Sequence, residues 1–70
     1  MRNRLPELRK QQSWSQQELA EVLGVSRQTI ISLERGRFDP SLPLAFNLAS
    51  VFDCRIEDIF TPDPWTPPQR

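Results

Sequence analysis

The chain has 70 residues, nine of them basic and nine acidic, so its net charge is zero at neutral pH. That length suffices for one domain with a modest core and leaves no room for a separate sensor or catalytic domain, and the absence of net charge argues against indiscriminate coating of a polyanion. A single cysteine, Cys54, excludes an internal disulfide framework, the lack of histidine leaves a zinc site without its usual ligands, and no apolar run reaches membrane-spanning length.

The first predicted element is a helix capped by Asn3 and running to about Gln12. Pro6 falls in its first turn, where a missing N–H costs little, and Leu5, Leu8 and Gln12 mark its inner face. Ser15 opens the second helix, with Glu18 three residues on completing a capping box. Trp14 and Leu19 stand at the spacing of a hydrophobic staple. Leu19, Ala20, Val22 and Leu23 give that helix a buried face, and Gly24 ends it.

A third helix follows almost at once. Ser26 caps it, Val25 and Ile30 staple it, and Gly36 closes it after Arg35. Ile30 and Leu33 point inward, which leaves Arg27, Gln28, Ile31, Ser32 and Arg35 on another face. Guanidinium, amide and hydroxyl groups are the ones that bond to base edges and phosphates, whereas the bland alternative is a solvated helix face. Two helices joined by so short a glycine-containing turn must cross steeply, as in a helix-turn-helix, and this favours the first reading.

Ser41 caps a fourth helix with Pro43 in its first turn and Ala45, Leu48, Ala49 and Phe52 along its inward stripe. A short fifth helix holds Ile56, Ile59 and Phe60. No strand-length alternation is present, so an all-α domain of five helices is expected over residues 1–60. The remaining 61–70 segment carries Pro62, Pro64, Pro67 and Pro68; it is expected to be extended or disordered and not to add a strand.

The charge is unevenly spread. Residues 1–37 hold seven basic and four acidic side chains and residues 38–70 two basic and five acidic, a balance of plus three against minus three. The half that contains the candidate reading helix is therefore the basic one.

From Arg4 to Phe60 the chain resembles the XRE family of phage-repressor-like helix-turn-helix regulators. The likeness is carried by Leu8-Arg9, Ser15-Gln16, Glu18-Leu19-Ala20, the run Leu23-Gly24-Val25-Ser26-Arg27-Gln28-Thr29-Ile30, Glu34-Arg35-Gly36 and Pro40-Ser41-Leu42. It continues through Leu48-Ala49, Phe52 and Ile56 to Phe60. The resemblance implies a compact, lambda-repressor-like five-helix domain with its helix-turn-helix at the second and third helices, and double-stranded DNA as partner. It implies base reading by Arg27, Gln28 and Ser32, a phosphate clamp at Gln16, and a structural ion pair between Arg9 and Glu34, with a phosphate contact as a lesser reading of Arg9.

Further contacts extend that set. Thr29 can reach a phosphate or a thymine methyl. Ile31 either meets a thymine methyl, or packs on the first helix or lies at the rim. Arg35, Arg37 and Ser41 continue the phosphate cradle, with a solvated loop charge as the alternative for Arg37. Three departures from the family pattern stand out: Ser13 and Asp53 where glycine is usual, and Arg55 where a capping serine or threonine is usual.

A lone module makes few base contacts, so a homodimer on a near-palindromic operator is expected, joined through the fourth and fifth helices by Leu44, Phe46, Val51, Phe60 and Trp65. For Trp65 a loosely held side chain is the equal alternative. The family analogy makes repression the expected outcome, in the cytoplasm on the nucleoid, with no cofactor, metal, membrane or small-molecule effector implied. The rival is an antitoxin or protein-interaction module that keeps the fold. An enzyme fares poorly, because no activated nucleophile or carboxylate pair is discernible and Cys54 reads as an inert thiol.

Overall fold

A computed structural model describes residues 1–69. In chain order the elements are β1 (Arg2–Asn3), α1 (Leu5–Gln11), α2 (Gln16–Leu23), α3 (Arg27–Glu34), α4 (Leu42–Val51), α5 (Ile56–Ile59) and β2 (Phe60–Thr61). Five helices surround one core in which Leu5, Leu19, Ile30, Leu33, Leu48 and Ile59 are fully buried. Each helix contributes at least one of these six, so no helix can leave without exposing apolar surface.

The expectation of five helices holds, and a short ribbon is added to it. β1 and β2 pair antiparallel, Arg2 opposite Thr61 and Asn3 opposite Phe60. The Arg4 N–H extends the link by donating to the Ile59 carbonyl at 2.8 Å. Thr61, assigned from sequence to an unpaired tail, is therefore in a ladder; two-residue strands are too short to show the alternation by which strands are recognised.

Four further expectations are corrected. Gln12 follows the last turn of α1 and is exposed, and Val22 on α2 is 51% exposed, because the buried stripe of α2 is confined to Leu19 and Ala20 with Leu23 partly covered. Phe60 is only 4% exposed: its ring belongs to the core and is withdrawn from the surface proposed for a partner subunit. Asn3 is one residue too early to be the cap itself, yet its Oδ1 accepts the Leu5 N–H at 3.1 Å and so does a cap's work from β1.

The departures from the family pattern have local solutions. Ser13 (φ 58°) and Asp53 (φ 50°) adopt the left-handed conformation for which glycine is the usual choice. At the start of α5 the Arg55 side chain caps nothing; instead its backbone N–H donates to Asp58 Oδ2 at 2.9 Å. Trp14 lies on the core with its ring 5.9 Å from that of Phe52, tilted by 53°.

Candidate nucleic-acid interface

Local chemistry sets the hinge between α2 and α3. Ser15 Oγ accepts the Glu18 N–H and Glu18 Oε1 accepts the Ser15 N–H, both at 3.0 Å, so both halves of the capping box are made. Gly24 adopts φ 71°, and the Val25 N–H folds back to the Ala20 carbonyl at 3.0 Å, which satisfies the end of α2 while turning the chain. Ser26 Oγ then accepts the Thr29 N–H at 3.1 Å and starts α3. The end of α3 repeats the device, with Gly36 at φ 70° and the Arg37 N–H on the Ser32 carbonyl at 3.1 Å.

The outer face of α3 presents Arg27 and Gln28 side by side and exposed. Gln28 Nε2 donates to Ser32 Oγ at 3.3 Å, one turn along, so the amide is lightly tethered while its oxygen stays open. Thr29 is half-buried and its hydroxyl shares a 2.9 Å hydrogen bond with Ser26 Oγ, which commits Thr29 first to the cap. Ile31 and Ser32 are half-buried. The exposed edge is thus narrower than five residues, with Arg27 and Gln28 foremost.

Behind this face, Glu34 is a junction of three helices. Arg9 Nε donates to Glu34 Oε2 at 2.7 Å and Nη2 to Oε1 at 3.2 Å, a two-pronged bond, and Nη1 reaches the Trp14 carbonyl at 2.9 Å. The side chains are 12% and 7% exposed. Gln16 Nε2 adds a third donor to Glu34 Oε1 at 3.0 Å. Local sequence gives no sign of that last bond, because its partners are eighteen positions apart on different helices. With one N–H committed to Glu34, the half-buried Gln16 keeps a second side-chain N–H uncommitted. Arg9, Gln16, Gln17 and Arg27 line an open cleft of about 400 Å³ at the start of α2 and α3.

At the other end of α3, Arg35 and Arg37 are exposed. Ser41 Oγ caps α4 by accepting the Leu44 N–H at 3.3 Å, which leaves its hydroxyl proton to donate outward. Among the described residues the ion pairs are Met1–Asp39, Arg4–Glu7, Arg9–Glu34 and Arg55–Asp58, so Arg27, Arg35 and Arg37 carry positive charge with no internal partner. That arrangement can accept polyanion oxygens without first breaking an ion pair.

The apolar side chains expected from sequence to join two subunits differ in exposure. Leu44 and Val51 are half-buried on α4, Phe46 is 57% exposed, and Trp65 is 78% exposed. Leu42, not singled out from sequence, is 65% exposed one turn from Phe46. Burial raises the pKa of the Cys54 thiol, and the Asp58 and Asp53 carboxylates add to the shift, opposite to what an activated nucleophile needs. Among the described residues no group of three or more histidine, cysteine or acidic side chains could hold a metal ion, and no helix is long and apolar enough to cross a membrane.

Comparison with known proteins agrees with this geometry. A helix-turn-helix family model (HTH_3) matches residues 6–59. The chain is 53% identical over 60 residues to the uncharacterized HTH-type transcriptional regulator MJ0272 of Methanocaldococcus jannaschii, covering 86% of this chain and 91% of that protein. It is 52% identical over 64 residues to an uncharacterized HTH-type transcriptional regulator of Methanothermobacter thermautotrophicus, covering 90% and 93%. With the uncharacterized HTH-type transcriptional regulator YgzD of Bacillus subtilis it shares 42% identity over 60 residues, covering 86% and 91%. A capped pair of helices hinged at Gly24, an open polar face on the second of them, and matches along most of its length lead to one assignment: the chain belongs to the XRE-type helix-turn-helix family of DNA-binding transcriptional regulators.

Proposed function

We propose that this regulator represses transcription as a homodimer that reads a near-palindromic operator, with α3 of each subunit in one major groove. The observation that carries the reading is the pairing of Arg27 and Gln28, exposed and adjacent at the start of α3, on a helix whose far end is held by the Glu34 junction. Arginine bridges guanine O6 and N7, and glutamine bridges adenine N6 and N7; each good pair discriminates by about 1–3 kcal/mol. Ser32 supports Gln28, Thr29 and Ile31 border the reading edge, and Gln16, Arg35, Arg37 and Ser41 fix register on phosphates. Twofold use of the module places half-sites about 34 Å apart. The subunits meet through α4, with Phe46 and Leu42 foremost, Leu44 and Val51 beside them, and Trp65 of the tail as a further anchor. The site of action is the nucleoid, in the cytoplasm.

Selection of duplexes from a random pool, at two salt concentrations, tests the reading. The expected result is an enriched inverted repeat whose recovery is lost with Arg27→Ala and Gln28→Ala. No common sequence, with both variants retaining the biological effect of the parent, would instead support a protein-binding role for the same fold.

A further inference from the structure

We propose that Arg2 of β1 and Arg35 at the end of α3 form a second phosphate seat, which extends the DNA footprint from the helix-turn-helix onto the ribbon. The proposal rests on the DNA-reading assignment above. The two arginines, with Asn3, Gly36 and Asp63, line one open cleft of about 470 Å³. Asn3 Nδ2 donates to the Leu33 carbonyl at 2.7 Å, so β1 is fastened to the last turn of α3 and Arg2 is carried by a fixed strand.

Charge in the cleft favours an anion. Neither arginine has an ion-pair partner among the described residues. Glu34 also borders the cleft, but its carboxylate is taken by Arg9 and Gln16. Asp63 is then the single acidic side chain left to face two guanidinium groups. A phosphate oxygen between them would relieve their repulsion and accept from both forks.

Position identifies the anion as part of a duplex and not a free ion. The Arg2 and Arg35 cleft adjoins the Gln16 and Arg27 cleft, because Glu34 on its border is hydrogen-bonded to Arg9 and Gln16, which line the other. Two adjoining cationic clefts beside α3 would meet neighbouring phosphates along the backbone that flanks the groove α3 enters.

The test is fluorescence anisotropy with the full chain and a selected operator duplex between 50 and 200 mM salt. Each phosphate contact contributes about 0.9 to the logarithmic salt slope, equivalent to about 3.5-fold in affinity over that range. Arg2→Gln is expected to lower the slope by one contact per subunit while leaving base preference and thermal midpoint unchanged, since Arg2 is exposed and joins the ladder through its backbone. Arg2→Lys should restore the slope, Asp63→Asn should tighten binding several-fold, and Arg55→Gln, away from both clefts, should leave the slope at the parent value. If Arg35→Gln lowers the slope and Arg2→Gln does not, the seat is overturned while the DNA-reading assignment stands. If the parent shows no salt-dependent duplex binding, both are overturned.

Discussion

Gln16 and Glu34 are joined at 3.0 Å across the helix-turn-helix, so the residue expected to grip the DNA backbone and the residue that anchors the reading helix share one carboxylate. Arg9 holds the same carboxylate from α1. The three side chains tie α1, α2 and α3 together, and under the proposed function they would couple the placement of α2 on phosphates to that of α3 on bases.

Removing Glu34 should therefore be costly. Glu34→Ala leaves the Arg9 guanidinium nearly buried and without its counter-charge, and the expected loss is about 3–5 kcal/mol, a large part of the roughly 5–15 kcal/mol typical of a folded domain. The double variant Arg9→Met with Glu34→Leu, which strands no charge, should lose less than Glu34→Ala alone. Urea unfolding midpoints, compared at equal slope, decide this.

The left-handed positions form a second series. At Gly24 an added methyl group meets nothing within 4 Å, so Gly24→Ala should cost only the conformational penalty of about 1–2 kcal/mol. Gly36→Ala should cost more, because its methyl would lie 3.0 Å from the Met1 carbonyl oxygen. Ser13→Gly should stabilise by up to about 1 kcal/mol and Asp53→Gly by less, since aspartate tolerates this conformation better than serine. Thermal midpoints of the four variants test the order.

Acid sensitivity should be traceable to α5. The Arg55 backbone N–H, followed by the Arg55 guanidinium, holds the Asp58 carboxyl below its ordinary value of 3.8. A carboxylate whose pKa is lower folded than unfolded stabilises the fold above the unfolded value, and this contribution fades as the pH falls through the folded one. Asp58→Asn should thus have a lower melting temperature than the parent at pH 7, with the gap narrowing below about pH 4.

Association should depend on α4. Leu42 and Phe46 form an exposed apolar pair one turn apart, and a charge placed there opposes burial against a second copy. Phe46→Glu is expected to sediment as a monomer at high micromolar concentration, to lose preference for an inverted repeat, and to retain weak binding to a half-site.

Much of the architecture was legible because its signals are local. Ser15 with Glu18, Ser26 before Thr29, and Gly24 between two apolar stripes each solve a backbone problem within a few residues. What escaped was tertiary. Whether Val22 or Leu23 faces inward depends on where α4 lies, Phe60 is core only because β2 folds back on β1, and the Gln16 bond to Glu34 exists only once α2 and α3 have crossed. The neighbourhood of Arg2 and Arg35 is tertiary in the same way: a strand two residues long brings Arg2 to the end of α3.

The ribbon has a kinetic corollary. Joining Arg2 to Thr61 closes almost the whole chain into a loop, an entropic cost that grows with loop length and is recovered only when the helices already stand in place. The latch should consequently fasten last, after the rate-limiting barrier. Thr61→Pro would then hasten unfolding in stopped-flow traces and barely slow refolding, so that two short strands lengthen the life of each folded molecule.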